Sequence, residues 1–226
     1  MPMKGSGAAT SWEETNRWER GASWLAYPHE TMQRASHVLE TDAGAIVVDP
    51  VDADGIDDLF AEFGEVAGVV ILLDRHKRDS AAIANRHDAP VYVPDWMDDV
   101  ESALDAPVER VHRQIPGTDY GVHKHINNPF WQEATLYGDA DDTLVVSESL
   151  GTADYFLAGN ERLGVHPMLR LFPPSKLKRL SPDRLLVGHG HGIMDDATEA
   201  IAYALSGSRS RTPQLYAKAF KSFVLG

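Results

Sequence analysis

The stretch from Val69 to Ser80 constrains the fold of this chain more than any other. It begins with five apolar residues, mostly β-branched, and then changes abruptly to six polar residues, Asp74 to Asp79. A short apolar run of this kind predicts a strand that is buried on both faces. Polar groups at the carboxyl end of such a strand lie where open α/β sheets usually place their sites. An ordinary solvated turn is the alternative interpretation.

The segments around this strand predict an α/β fold. Strands and amphipathic helices alternate in the first half, whereas the second half is mostly short strands and ends in helices. This order predicts two mixed β-sheets flanked by helical layers. The predicted strands are 23–27, 35–40, 45–48, 69–73, 90–93, 110–115, 120–125, 133–137, 143–146 and 185–187, and the predicted helices are 54–63, 80–87, 94–104, 175–180, 198–205 and 213–224.

The length of 226 residues and a hydrophobic content of 43% favour one domain with a full core. Residues 1–20 are polar and are predicted to be a flexible N-terminal segment, followed by a single domain over 21–226. We find no apolar core segment of a signal peptide and no run long enough to span a bilayer. These features predict a soluble, cytoplasmic protein that has no membrane partner.

The chain is strongly acidic, with a formal net charge of −13, 34 Asp and Glu residues and no Cys. Such a surface repels phosphate backbones, so we expect no nucleic-acid partner. The lack of Cys excludes disulfides and thiolate metal sites. An excess of Asp with scarce Lys is typical of proteins from salt-loving organisms, haloarchaea among them. An ordinary acidic cytosolic protein is the alternative.

Four sequence marks, in order, resemble the metallo-β-lactamase superfamily. They are VVDP at 47–50, VVILLDRHKRDS at 69–80, INNPFWQEATLYGDADDTLVVSESL at 126–150 and LLVGHGHG at 185–192. The resemblance covers roughly residues 21–206. It implies an αββα four-layer sandwich of two mixed β-sheets flanked by helices. Members of this superfamily are mostly metal-dependent hydrolases that act on small-molecule substrates.

The resemblance also assigns candidate ligands, although the usual HxHxDH motif is degenerate here. Its ligand positions match Asp74, His76, Arg78 and Asp79, so two histidines are replaced by Asp and the Asp by Arg. A later histidine of the family matches Pro129, which cannot bind a metal. The bridging Asp and the last histidine match Glu148 and His189. The implied metal set is therefore Asp74, His76, Asp79, Glu148 and His189.

Arg78 limits the number of metals that such a site can hold. A guanidinium is permanently charged, so at a ligand position it repels a second cation. We expect it to form a bidentate pair with Asp79 or Glu148. The candidate catalytic residues are Asp79 and Arg78. Imidazoles with several carboxylates suit at most one divalent metal, namely zinc or else iron or manganese, and a site with no metal is the alternative.

Two functions remain open from the sequence. The first is a hydrolase that uses at most one metal to activate water and to polarise the carbonyl or phosphoryl oxygen of a small ester or thioester. The second is a non-catalytic protein of the same fold that has lost its metals and serves in binding or regulation, as Pro129, Arg78 and Asp74 suggest. The redox chemistry of diiron relatives lacks support, because the diiron ligand set is not intact. The oligomeric state is not predicted.

Other residues are weaker candidates for a functional site. His123 and His125 lie two apart on a predicted strand and share one face, which permits metal binding, but ordinary strand positions are the simpler interpretation. Phe130 and Trp131 either cover the pocket or pack in the core. His191 is a candidate substrate contact.

Overall fold

A computed structural model describes residues 2–225 of the chain, with side chains through residue 221. The thirteen strands are β1 (Glu13–Trp18), β2 (Gly21–Leu25), β3 (Ala35–Thr41), β4 (Gly44–Val48), β5 (Val66–Val70), β6 (Val91–Pro94), β7 (Val108–Val111), β8 (Tyr120–Asn128), β9 (Trp131–Gly138), β10 (Thr143–Val146), β11 (Leu150–Gly151), β12 (Gly164–Val165) and β13 (Arg184–Val187). The α-helices are α1 (Ile56–Ala61), α2 (Ser80–Arg86) and α3 (Ala197–Leu225), and short 3-10 turns lie at Glu101–Ala103, Asp154–Phe156, Pro167–Leu169 and Ser175–Arg179.

The strands form two large mixed sheets, which confirms the predicted fold class. The first sheet has the order β1-β2-β3-β4-β5-β6-β7, antiparallel as far as β4 and parallel from β4 to β7. The second has the order β13-β10-β9-β8, in which only β10 and β13 are parallel. Helices α1 and α2 contact the first sheet, and α3 contacts the β13 side of the second.

Alternation along β10 and β13 explains how the second sheet is covered on both faces. Val145 and Leu186 belong to the large core that also contains the first sheet, α1 and α2. Their neighbours Leu144, Val146, Leu185 and Val187 belong instead to a second core, together with residues of α3. Successive side chains of a strand point to opposite faces, so apolar residues at consecutive positions are buried on both sides.

The apolar run 69–73 does not remain in one sheet, contrary to the prediction of a strand over its whole length. Strand β5 ends at Val70, although the residues up to Leu73 are fully buried. The backbone N–H of Ala134 in β9 donates to the Leu72 carbonyl at 2.8 Å, and the N–H of Asp74 donates to the Gln132 carbonyl at 3.1 Å. The chain therefore crosses from the first sheet to the second just before its polar residues.

Three of the predicted helices differ in form from the structure. The segment 94–104 contains only a 3-10 turn, and Arg110 donates to the carbonyls of Asp95 and Asp98, which a helix would have used. The predicted helices 198–205 and 213–224 form a single helix with Pro213 inside it. The connecting segment is held in the helix because Ser208 Oγ donates to the Arg170 carbonyl and Arg211 pairs with Glu161.

The segment that the sequence assigned to a flexible N-terminus contains β1, which pairs with β2 at the edge of the first sheet. Before it, the Pro2 and Met3 carbonyls accept from the N–H groups of Thr31 and Met32. This places residues 2 and 3 against the loop 27–34. Within residues 2–225, none of the helices combines the length and apolar character needed to cross a membrane.

Candidate metal centre

Three of the predicted ligands, His76, Glu148 and His189, come together at one edge of the two sheets. Glu148 follows β10 and His189 follows β13; these strands run parallel, so their carboxyl ends meet at the same edge. His76 lies in the turn that follows the crossing into the second sheet. One ligand atom from each of the three side chains lies within 4.8 Å of the others, and all three residues are buried. We call this group the triad.

Hydrogen bonds at Nδ1 orient both imidazoles, and His76 Nε2 lies 4.0 Å from Glu148 Oε2. His76 Nδ1 lies 3.1 Å from Asp49 Oδ2, and His189 Nδ1 lies 2.9 Å from the Met32 carbonyl oxygen. Both partners are acceptors, so each Nδ1 carries the proton and each Nε2 keeps its lone pair. The buried Nε2 of His189 has no hydrogen-bond partner within the described part of the chain. A histidine held in this way has the orientation of a metal ligand.

Asp49 is a positioning residue that the predicted ligand set did not include. Its side chain accepts from the Leu72 N–H at 3.0 Å, from His76 and from Ser147 Oγ. Burial alone would raise the pKa of this carboxyl. The hydrogen bond from His76, the charge of Arg78 and the hydrogen bond from Ser147 act against burial, and the pKa is lowered overall. Asp49 therefore stays ionised and keeps His76 in the Nδ1–H tautomer.

The triad histidines are held neutral. Burial lowers the pKa of His76, and the nearby charge of Arg78 lowers it further, against the effects of Asp49 and Glu148. The pKa of His189 lies well below its ordinary value, first because of burial and then because of His76 and Arg78. Metal ions bind the neutral imidazole, so both groups keep their ligand form at neutral pH.

Glu148 has competing partners. Arg75 Nε donates to Glu148 Oε2 at 3.0 Å, and the same guanidinium lies 4.1 Å from the centre of the Trp131 ring. His166 Nδ1 accepts from the Met168 N–H, so its Nε2–H points toward Glu148 Oε1 at 3.7 Å. Burial, followed by the charge of Arg75, lowers the pKa of His166 to about 4. The carboxylate therefore lies between a cation and a neutral N–H donor.

The backbone around Glu148 is fixed by a second buried carboxylate, Glu133 of β9. Its Oε1 accepts from the N–H groups of Glu148 and Ser149, each at 3.0 Å, and Oε2 accepts from the Trp131 indole at 2.8 Å. Burial raises the pKa of Glu133, although these hydrogen bonds act in the opposite direction. Sequence reasoning missed this residue, since an acidic side chain at a core position of a strand was its only signal.

The other two predicted ligands lie outside the triad. Asp79 is the residue before α2, and its Oδ2 accepts from the Asp52 N–H at 2.9 Å. Asp74 is partly exposed and lies 3.4 Å from Arg75 Nη1. Of the four matched ligand positions 74, 76, 78 and 79, His76 is the one that joins Glu148 in the triad. Pro129 is exposed in the turn between β8 and β9.

Arg78 does not form the predicted pair with Asp79 or Glu148. Its guanidinium donates to three main-chain carbonyls, those of Ala35 at 2.6 Å, Asp49 at 2.7 Å and Gly188 at 3.1 Å. Burial lowers the pKa of the guanidinium to about 10, and Asp49 acts in the opposite direction. Arg78 remains a cation at neutral pH, and it joins the segments after β4 and β13 to the start of β3.

The other candidate histidines and aromatic residues differ in burial. His125 is buried and its Nε2 lies 3.0 Å from Ser149 Oγ, whereas His123 and His191 are exposed. Trp131 is buried and contacts the triad region through Arg75, while Phe130 is 88% exposed.

Comparison by sequence finds no matching family model and no matching curated protein. Comparison by structure does find similar proteins. A metallo-β-lactamase from Pontibacter korlensis has a TM-score of 0.62 and 14% identity, over 88% of this chain and 99% of that one. A fragment from Nostoc sp. that bears the name diflavin flavoprotein A 5 has a TM-score of 0.65 and 12% identity, over 90% and 98%.

The metallo-β-lactamase FIM-1 from Pseudomonas aeruginosa, in its mono-zinc form, has a TM-score of 0.59 and 8% identity, over 91% of this chain and 98% of that one. Likeness at these identities establishes architecture alone. The chain therefore has the metallo-β-lactamase fold, as its sequence motifs had indicated. The triad within it is a candidate metal centre.

Proposed function

We propose that this protein is a metallo-hydrolase that holds one divalent metal at the triad. The observation that carries the proposal is the buried Nε2 of His189, which has no partner in the described chain and lies beside His76 and Glu148. A buried polar atom without a partner is costly, and a bound cation would satisfy it. Two neutral imidazoles and one carboxylate form a ligand set that suits zinc, with iron or manganese as alternatives.

A single metal is favoured by the surroundings of the triad. The Arg78 guanidinium is fixed by main-chain carbonyls nearby, and Asp79 is occupied by the Asp52 N–H. A second divalent ion would meet the permanent positive charge of Arg78 and would lack the Asp79 carboxylate as a ligand. The mono-zinc form of FIM-1 shows that one protein of this fold has been obtained with a single zinc.

The side chains have distinct roles in the proposed reaction, the hydrolysis of a small ester or thioester. A metal at the triad would supply Lewis acidity for a carbonyl oxygen and for water. Asp49 and the Met32 carbonyl orient the two imidazoles, and Glu133 fixes the backbone of Glu148. Arg75 is exposed and contacts Glu148, so its charge would favour an oxygen that becomes negative there during acyl transfer.

The test combines metal content with hydrolysis. The wild type, equilibrated with Zn²⁺, Fe²⁺ or Mn²⁺ and then desalted, is expected to retain close to one equivalent of one ion and to hydrolyse members of an ester and thioester panel. Glu148→Gln keeps the shape of the side chain and should lose both properties, whereas the exposed control Glu199→Gln should keep both. Retention below about 0.1 equivalent by the wild type would overturn the metal assignment, because sets of this kind bind tightly.

A non-catalytic binding protein is the second candidate, and the Arg75–Glu148 ion pair favours it. In that case the Arg75 guanidinium takes the place of a metal ion beside Glu148. The protein would then show neither metal retention nor hydrolysis. Metal retention without hydrolysis of any panel member would support the metal site and contradict the proposed hydrolysis of an ester or thioester.

We also propose, from composition, that the protein works in a salt-rich cytoplasm. A net charge of −13 destabilises the folded state through self-repulsion unless salt screens it. The midpoint of thermal unfolding should rise between 0.1 and 2 M KCl. An unchanged or lower midpoint would contradict the halophilic assignment.

A further inference from the structure

A basic cleft opens on the second sheet, apart from the triad. It has a volume of about 680 Å³ and lies between β8, the segment before β8 and the 3-10 turn Ser175–Arg179. Leu177 and Leu180 form part of one wall, and Trp96 lies in another. None of the triad residues lines it. Its volume falls within the range of about 300–1,000 Å³ that is usual for small-molecule sites.

Four cations line this cleft: Arg113, Lys124, Lys176 and Arg179. All four are exposed, although the chain as a whole carries a net charge of −13. Two acidic residues also line it, Asp119 and Asp139. Because Asp119 is held by both terminal nitrogens of Arg20, at 2.9 and 3.0 Å, its charge is already compensated. The cleft is thus a positive region on an acidic protein.

The four cations differ from most others in the described chain because none of them forms an ion pair. Nine of the Arg residues do so, namely Arg17, Arg20, Arg34, Arg75, Arg86, Arg110, Arg170, Arg184 and Arg211. In the cleft, Lys176 Nζ makes only two long contacts of 3.4 Å, to the carbonyls of Lys124 and His125, and Lys124 lies over the Trp96 ring. Neighbouring like charges repel, so an anion would relieve this arrangement.

We propose that the cleft is a binding site for a small phosphate-bearing molecule. Phosphate suits it because its charge is close to −2 and its oxygens accept hydrogen bonds from both Lys and Arg. The acidic remainder of the surface would repel a long polyanion, so the ligand is expected to be small. The inference does not depend on the proposed hydrolase activity.

The test uses the full chain, inorganic tripolyphosphate as the probe and calorimetry at about 0.15 M KCl, where the Debye length is about 8 Å. The wild type is expected to bind the probe, and Lys176→Glu combined with Arg179→Glu should weaken binding at least tenfold. The matched control combines Lys178→Glu with Arg162→Glu, which are exposed residues outside the cleft, and makes the same change in net charge. It should stay within about threefold of the wild type, because long-range charge effects are screened.

Two further arms define the site. His189→Gln alters the triad without changing its charge and should bind tripolyphosphate like the wild type; a loss of binding there would place the anion at the triad and overturn the proposal. Citrate tests whether carboxylates suffice, and equal affinity for citrate would overturn the assignment to phosphate. No binding by the wild type, or equal loss in the matched control, would also overturn the proposal. Circular dichroism of each variant checks that the fold is intact.

Discussion

The triad and the Arg78 cluster lie at the same edge of the fold but differ in whether they already contain a fixed cation. We define the Arg78 cluster as Arg78 with the carbonyls of Ala35, Asp49 and Gly188. In the triad, the buried Nε2 of His189 has no partner within the described residues. In the Arg78 cluster, the two terminal nitrogens of the guanidinium donate to all three carbonyls, and the buried Nε has no partner within the described residues. One group is therefore prepared to receive a cation, and the other already contains one.

Asp49 connects the two groups. Its carboxylate accepts from His76 of the triad, while its carbonyl accepts from Arg78. Asp49 has a positive φ of 44° and Arg78 one of 42°, a region that is unfavourable for residues other than Gly. Strained backbone at such positions persists only where the surrounding contacts hold it. The difference between the groups teaches that a fixed internal cation can join the segments that meet at this edge of the fold.

The largest expected effect is on the Arg78 cluster. Arg78→Met in metal-free protein should lower the free energy of unfolding by about 3 kcal/mol, because three buried carbonyls lose a charged donor. Urea unfolding measures the change. The exposed Arg113→Met should change stability by less than about 0.5 kcal/mol. If Arg78→Met costs no more than this control, the cluster does not stabilise the edge.

Arg78→Met should also change how the triad binds a metal. With the charge of Arg78 removed, Coulomb repulsion of a divalent ion at the triad falls, so the metal affinity of the folded variant should rise. Titration with Zn²⁺ at a temperature where both proteins are folded measures this change. A lower affinity would mean that Arg78 supports the triad rather than opposing a cation.

A slightly smaller effect is expected within the triad. His189→Gln should weaken metal binding at least about 100-fold, which exceeds the usual cost of losing a group that only orients a ligand. The fold should persist, because Gln removes a buried imidazole nitrogen without a partner. His191→Gln, two residues away and exposed, is the matched control and should bind as the wild type does. Equal effects in both variants would exclude His189 as a ligand.

The next prediction concerns the pH dependence of stability. Burial lowers the pKa of His37 to about 3, with Asp49 raising it and Arg78 lowering it. In the unfolded chain its pKa is about 6.5, so the unfolded state binds more protons between these values and stability falls as pH falls. Acidification from pH 7.5 to pH 5.0 should lower the free energy of unfolding by about 2 kcal/mol through His37.

Urea unfolding of His37→Gln at both pH values isolates this effect. On acidification, the free energy of unfolding of the variant should fall by about 2 kcal/mol less than that of the wild type. His29→Gln, at an exposed histidine, should keep the wild-type response. Identical pH responses in the wild type and His37→Gln would show that His37 is not held neutral by burial.

The smallest expected effect is at Arg75, beside the triad. Arg75→Ala removes the ion pair with Glu148 and should raise metal affinity by about 1.5- to 5-fold, as expected for a partly exposed pair worth about 0.2–1 kcal/mol. Lys77→Ala removes a cation from the same turn whose amine contacts the Asp74 carbonyl instead, and should have less effect. A loss of affinity in Arg75→Ala would mean that Arg75 positions Glu148 for the metal.

Local sequence patterns were sufficient for much of the fold. The strand at 143–146 was predicted with its exact bounds, and the β-branched run at 69–73 was correctly placed in the core. The order of motifs also indicated the metallo-β-lactamase fold. The patterns failed where distant contacts replaced local ones. Arg110 takes carbonyls from the predicted helix 94–104, and Glu161 and Arg170 hold the segment 206–212 in a helix that its Gly and Ser content disfavours.

For the site, the sequence by itself determined that polar residues follow three buried strands, because apolar runs that end in polar tips are visible in the order of residues. It could not determine which of those tips meet. Only the crossing of residues 71–74 into the second sheet brought His76 beside Glu148 and His189, while Asp79 turned toward Asp52. The physical reason is that a side chain's partners depend on backbone direction after the strand ends, and long-range hydrogen bonds decide that direction. The same bonds turned Arg78, a predicted catalytic residue, into a half-buried link between main-chain carbonyls.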